Sequence, residues 1–141
     1  MSTLRESNVI SNVITKLPKI IHTQSMTFGS RSFNGTPDRY FDGPARDLWA
    51  EFKYVDAIPR DRLVGGVDAK KRGCYSPLQF DWMVRRLRNG GNVIGIIGLP
   101  NRTAVIQQTP EEWQNKSSID GAVPFATVAE WIRKYCMGEQ A

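Results

Sequence analysis

Any fold of this chain has to accommodate the nine residues Asp47 to Val55. Leu48, Ala50, Phe52 and Tyr54 fall on one side of the alternation, and Asp47, Trp49, Glu51, Lys53 and Val55 on the other. That is the period of a β-strand with one face in a core. Glu51 and Lys53, two apart, emerge on the same face, which they share with Trp49. A Glu and a Lys spaced this way are most often plain solvent-facing charge. Here a turn-borne Asp38, closing Gly35-Thr36-Pro37-Asp38, precedes them, and charge held on a partly buried face is costly unless paired or bound to a metal.

Elements on either side extend the pattern. Residues 4–17 space Val9, Ile10, Val13, Ile14 and Leu17 as an amphipathic helix stopped by Pro18, with Glu6 in the first turn, where a carboxylate complements the helix dipole. Residues 19–26 read as a first strand, 29–35 as a turn or flexible loop and 39–41 as a short strand. His22, beside Ile20 and Ile21, reads as a hydrogen-bonded structural residue. Ser76-Pro77 starts a helix that runs to about Asn89, buries Leu78, Met83 and Leu87, and ends at Gly90-Gly91. Residues 92–99 form a buried strand, 102–107 pair back as another, 110–114 make a helical turn, and 125–135 a last helix with Val128, Trp131 and Ile132 inward. Trp82, Trp113 and Trp131 read as core or interface rather than base-stacking platforms. The order is α-β-β-β-α-β-β-α, a mixed α/β (α+β) sheet flanked by helices, in a single domain of 141 residues.

Several chemistries are excluded. No run of about 18 apolar residues offers a membrane span. The first dozen residues lack a signal-peptide pattern, so the expectation is a cytoplasmic protein. Cys74 and Cys136 cannot build a disulfide scaffold or a four-cysteine zinc site and read as free thiols, and the single His22 removes any mechanism needing a histidine pair. The remaining chemistry runs on carboxylates, lysine or hydroxyls.

The positive charge is concentrated. Between Lys53 and Arg88 nine basic residues face four acids, an excess of five that equals the net charge of the whole chain. Such a window marks a polyanion binder or, as readily, a solvated basic face. Within it, residues 56–75 carry Pro59, Gly65-Gly66 and Gly73 with no regular pattern, and so long a loop is usually functional or disordered. Arg60, Arg62, Lys70, Lys71 and Arg72 make it the best phosphate-contacting loop. Arg85, Arg86 and Arg88 extend that surface, although basic residues suit a helix C-terminus in any case. Arg31, among small hydroxyl residues just before Asp38, suits a backbone-phosphate contact; an ordinary mobile loop explains it too.

If the strands at 39–41 and 47–55 form a hairpin, Asp38 comes beside Glu51. A divalent cation takes hard oxygen ligands of that kind, one or two carboxylates completed by waters. The metal lowers the pKa of a bound water, and a neighbouring lysine offsets charge building on a phosphodiester.

Asp38 after Pro37, twelve intervening residues and then Glu51-Phe52-Lys53 resemble the PD-(D/E)xK nuclease signature. Glu6 early in the first helix and Gln79 at the start of the next are similar to the VRR-NUC branch and to archaeal-type Holliday junction resolvases. The likeness covers roughly Glu6 to Ile97. It implies a restriction-endonuclease-like core, αβββαβ, over about residues 4–107, with residues 108–141 as an extension. It implies Asp38 and Glu51 as ligands of Mg²⁺ or Mn²⁺ with the Phe52 carbonyl, Lys53 as catalytic lysine, Glu6 as a supplementary ligand or water-orienting group, and Gln79 as a site-lining residue. Without the family, a helix-dipole role explains Glu6 equally well, and a plain first-turn role is the better account of Gln79. The chain departs from the minimal viral pattern in its longer Lys53–Gln79 stretch and in its tail beyond Gln107.

The expectation is a metal-dependent DNA endonuclease, active as a homodimer on branched or junction DNA, with no membrane and no organic cofactor involved. A sequence-specific homing or restriction-type endonuclease suits the long basic insertion nearly as well. A non-catalytic DNA-binding module is opposed by the presence of Asp38, Glu51 and Lys53 together. A small domain whose basic loop meets an acidic protein has only charge in its favour.

Overall fold

The structure is a computed structural model describing residues 6–28, 31–32 and 35–139, by backbone alone at 27, 28, 31 and 32. In chain order the elements are α1 (Glu6–Ile14), β1 (His22–Ser25), β2 (Thr27–Phe28), β3 (Arg31–Ser32), β4 (Arg39–Asp42), β5 (Asp47–Tyr54) and β6 (Leu63–Val64). There follow α2 (Pro77–Arg88), β7 (Val93–Gly98), β8 (Thr103–Gln107), α3 (Pro110–Asn115), β9 (Ser117–Ser118), a 3₁₀ turn at Ile119–Gly121, β10 (Val123–Pro124) and α4 (Phe125–Met137). The mixed α/β class and the order α-β-β-β-α-β-β-α hold, with small strands added.

Six strands form one sheet in the order β1-β4-β5-β7-β8-β10. Each pairing is antiparallel except β5 with β7. Parallel neighbours need a crossover, and residues 55–92, including α2, provide it. One face packs Leu48, Ala50, Phe52 and Tyr54 against Val9 and Val13 of α1 and Val128 and Ile132 of α4. On the other, Trp49 and Val93 meet Met83, Phe80, Trp82 and Leu87 of α2, and Trp113 of α3. β5 is thus covered on both faces, where its alternation alone predicts one, and its polar residues lie beneath the second layer. A third cluster (Val64, Ile97, Leu99 and Val105, with Val55 and Ile119) anchors the basic loop over the end of the sheet.

Leu78 departs from the sequence reading: it is 65% exposed rather than buried. The helix packs through Phe80, Met83, Val84 and Leu87, and Leu78, two residues before Phe80, falls on the far side at about 100° per residue. His22 is also exposed, on a β1 whose four residues all face solvent. The basic loop is not structureless, because β6 pairs with β9 from beyond residue 110 and Val67 bridges to Tyr75. Among the described residues no helix is long and apolar enough to cross a membrane.

Candidate active site

The β4–β5 ladder ends with Arg39 opposite Ala50, so Asp38 and Glu51 stand across from each other one step beyond it. Asp38 is fastened there: its Oδ2 accepts the Phe52 N–H at 3.0 Å, and its carbonyl accepts the Met26 N–H at 2.9 Å. The turn before it fits because Gly35 has φ +80° and lies on the first turn of α2, where a Cβ would overlap the Leu78 carbonyl and come within 2.9 Å of the Gln79 nitrogen. Only glycine allows that approach without strain, so the Gly-Thr-Pro-Asp turn and the start of α2 are locked together.

Gln79 occupies that first turn and answers two requirements at once. Its N–H donates to the Ser76 hydroxyl at 3.1 Å and its Oε1 accepts the Ser76 N–H at 2.9 Å, a reciprocal cap. Its Nε2 donates to Glu51 Oε2 at 3.0 Å. The cap therefore fixes the amide orientation, and the amide grips the carboxylate. Lys53 Nζ reaches the same oxygen at 3.3 Å. Glu51 is 1% exposed, and its other oxygen, Oε1, is buried without a hydrogen-bond partner. Asp38 opens on a cleft of about 350 Å³ between α1 and β1, lined by Ser7, Ile10, Ser11, Ile14, Ser25 and Arg39.

Electrostatics follow from burial. Burial pushes the Glu51 carboxyl well above the usual carboxylate range and the facing Asp38 raises it further, with Lys53 opposing. Burial raises Asp38 as well, against the Phe52 N–H bond, Glu51 and the charges of Lys53 and Arg39. Two carboxyls in this state call for a positive partner between them, a shared proton or a cation. Among the described residues no three His, Cys, Asp or Glu side chains are grouped to hold an ion by themselves. The orphaned Glu51 oxygen and the hard two-carboxylate donor set nonetheless fit Mg²⁺, which is commonly held by one or two carboxylates with waters.

Not every residue singled out in the sequence converges. Burial raises Glu6, and the charges of Lys53, Asp38 and Arg72 reach it, but it does not join the two carboxylates in a three-ligand group. Arg60, Lys71 and Arg72 line a separate cleft beyond the end of β5. Arg62 is turned onto Asp120 at 2.8 Å and Arg72 onto Asp56 at 2.7 Å. Lys70 is exposed. Arg85 and Arg86 stand six and seven residues along α2 from Gln79, about 10 Å at 1.5 Å per residue. Arg31 lies on β3 opposite Phe28, and its side chain falls outside the described residues.

No family model and no curated protein matches the chain. Among solved structures it is similar to Hjc of Archaeoglobus fulgidus, a Holliday junction resolvase from an archaeal hyperthermophile. The TM-score is 0.54 at 13% identity, over 89% of this chain and 96% of the other. The chain has the resolvase fold.

On that fold, a row across three strands was not foreseen from the sequence. Glu51 pairs with Gly95, and Gly95 with Gln107. The Tyr75 hydroxyl sits over Gly95 and donates to Gln107 Oε1 at 2.6 Å. Gln107, fully buried, donates from Nε2 to the Glu112 carbonyl at 2.8 Å and to the Ser117 hydroxyl at 2.9 Å. Tyr75 thereby walls the site next to Glu51, whose charge, after burial, pushes the phenol up. The one signal in the sequence was a glycine inside an otherwise apolar strand, which marks a close approach.

Proposed function

We propose that the chain is a divalent-metal-dependent DNA endonuclease acting on branched DNA, formed by one domain with its core over residues 4–107. The observation that carries this reading is the buried Glu51, held by Gln79 and Lys53 through one oxygen and offering the other beside Asp38. Asp38, Glu51 and the Phe52 carbonyl would hold Mg²⁺ or Mn²⁺, which supplies an activated water and compensates phosphodiester charge. The protein's own groups do the rest. Gln79 keeps the Glu51 carboxylate from rotating, the Phe52 N–H keeps Asp38 facing it, and the Lys53 ammonium lies where negative charge on a bound phosphodiester would develop. Glu6 orients water at the outer edge of the site. The narrower VRR-NUC likeness rests on Glu6 and Gln79. Arg31, Arg60, Lys70, Lys71, Arg85 and Arg86 supply DNA-backbone contacts, with Arg62 and Arg72 reaching phosphate only by exchanging their carboxylate partners. One site cuts one strand, so two copies of the chain act on a junction.

Labelled four-way junction, flap and linear duplex, each incubated with Mg²⁺ or with EDTA, test the reading. Metal-dependent cleavage favouring the junction is expected, and Asp38→Ala, Glu51→Ala and Lys53→Ala should each abolish it. Cleavage that survives all three substitutions would sink the assignment. Sequence-specific cleavage of linear duplex is the second reading, favoured by the ordered basic insertion anchored over the end of the sheet; a preference for one duplex sequence over any junction would select it.

A further inference from the structure

Beyond the end of β5 lies a second concentration of charge. Residues 56–75 fold back into a cleft of about 380 Å³ lined by Arg60, Lys71, Arg72 and Lys116, with Val55 and Gly73 among the residues between them. Three of the cations belong to the basic loop; Lys116 belongs to the C-terminal extension. Arg72 pairs with Asp56, while Asp61, the acid in the lining, holds the Leu63 N–H at 3.1 Å. Arg60, Lys71 and Lys116 form no ion pair among the described residues.

Lys116 is placed there against local preference. Its backbone has φ 67° and ψ 164°, a region glycine occupies freely and other residues avoid. Its stem lies close over Gly66, where a Cβ would be 3.1 Å from Lys116 Cγ. The extension is tied down on both sides of this point. β9 pairs with β6, the Ile119 N–H donates to the Arg62 carbonyl at 2.9 Å, and Arg62 pairs with Asp120. Gln107 holds Ser117 from beneath. Strain that the surroundings over-determine in this way is characteristic of functional positions. Val55, the residue after β5, follows Lys53 by two positions on the same side of the chain, roughly 7 Å away, so groups at the two places can meet neighbouring phosphates of one strand. Burial, then the charge of Asp68, raise the Cys74 thiol in the lining, against the charges of Lys116, Lys71 and Lys53.

We propose that this cleft is a phosphate subsite, completed by Lys116, that holds a backbone phosphodiester of the DNA strand beside the one attacked. The proposal takes its ligand from the endonuclease reading, and its test reads binding rather than cleavage. The full chain, Lys116→Gly and Lys116→Gln are titrated with labelled four-way junction in EDTA over a salt series. Loss of one phosphate contact should lower the slope of log K against log salt by about 0.9 and weaken binding several-fold to tenfold at moderate salt. Lys116→Gly, relieved of its backbone strain, should unfold at a temperature no lower than the wild type, so a folding defect does not explain weaker binding. Unchanged affinity and salt slope in Lys116→Gly overturn the subsite. Inorganic phosphate should displace the DNA better than chloride does at matched ionic strength and should lose that advantage in Lys116→Gly; an advantage that Lys116→Gly leaves unchanged counts against the subsite. If Asp38→Ala leaves cleavage intact while Lys116→Gly loses the slope, the catalytic assignment falls and the subsite stands. If Asp38→Ala abolishes cleavage while Lys116→Gly binds as the wild type does, only the subsite falls. A wild-type chain that binds no DNA overturns both.

Discussion

The row Glu51–Gly95–Gln107 exposes the site to a single methyl group. An alanine at Gly95 would place its Cβ on the Tyr75 hydroxyl and within 2.8 Å of Cζ and 3.1 Å of Cε1. Tyr75 is fully buried, and its backbone is bonded both ways, its N–H to the Gly66 carbonyl and its carbonyl to the Asp68 N–H, each at 2.9 Å. The ring therefore cannot swing out without moving the loop. Overpacking a core typically costs about 1–3 kcal/mol, and losing the buried hydroxyl–Gln107 bond about 1–3 kcal/mol more. The lower chain entropy of alanine returns about 0.4–1 kcal/mol. Gly95→Ala should thus destabilise the chain by roughly 2–5 kcal/mol, within the ~5–15 kcal/mol of a typical domain, so that it still folds. Urea denaturation at constant m-value measures the loss. Tyr75→Phe removes the closest of the overlapping atoms and leaves only the milder Cζ and Cε1 contacts, so the double variant should be at least ~1 kcal/mol more stable than the two single losses added together. Strict additivity within about 0.5 kcal/mol would show that the hydroxyl does not occupy the space above Gly95.

Three further outcomes are expected. Gln79→Ala should lose about 2–4 kcal/mol, since both the cap and a charge-assisted bond go; Gln79→Glu should do worse at pH 8 than at pH 5, because its carboxylate then opposes Glu51, and equal urea midpoints at the two pH values would refute this. Mg²⁺ at tenfold excess over its dissociation constant should stabilise the wild type by about 1.4 kcal/mol, a rise in Tm of roughly 3–6 °C; an equal rise in an Asp38→Asn, Glu51→Gln double variant would remove the metal from this site. Burial, then the charges of Asp47 and Asp42, push the Cys136 thiol from 9.0 up to about 11; the folded chain thus holds that proton more tightly than the unfolded one, and stability should fall as pH rises from about 9 to about 11, by less in Cys136→Ala, with identical pH slopes in the two proteins as the refuting result.

What could be read from the sequence was whatever local period or local chemistry encodes. The strand carrying Glu51 and Lys53, the Ser76-Pro77 helix start and the buried run at 93–98 all have their cause within a few residues of themselves. Asp38 meets Glu51 as read, because a hairpin needs only the short turn between 42 and 47 to set its register. Burial of Leu78 was misjudged for a different reason. Apolar character suggests a core face, but the side of α2 that is covered depends on where Trp49 and Trp113 arrive from other elements. Residues 56–75 read as structureless because the strand that pairs with β6 lies in the extension, more than fifty residues on, and a two-residue pairing such as β6 with β9 has no period to detect. The Tyr75–Gln107 bond spans 32 residues and was invisible for the same reason.

That division of what is local from what is distant also describes how the site is built. The charged groups that would do the chemistry sit on one hairpin and the first turn of one helix, where a register and a cap position them. The groups that hold the basic loop come from Gln107 onward: Gln107 itself, Ser117, Ile119 and Asp120. Truncation before residue 108 would therefore leave Asp38, Glu51, Lys53 and Gln79 in the chain, while freeing Tyr75's loop from β9 and removing Trp113, Val128 and Ile132 from the two cores. The extension is in this sense part of the fold. On the endonuclease reading proposed above, it would turn an otherwise unanchored run of positive charge into a surface of fixed shape near the carboxylates.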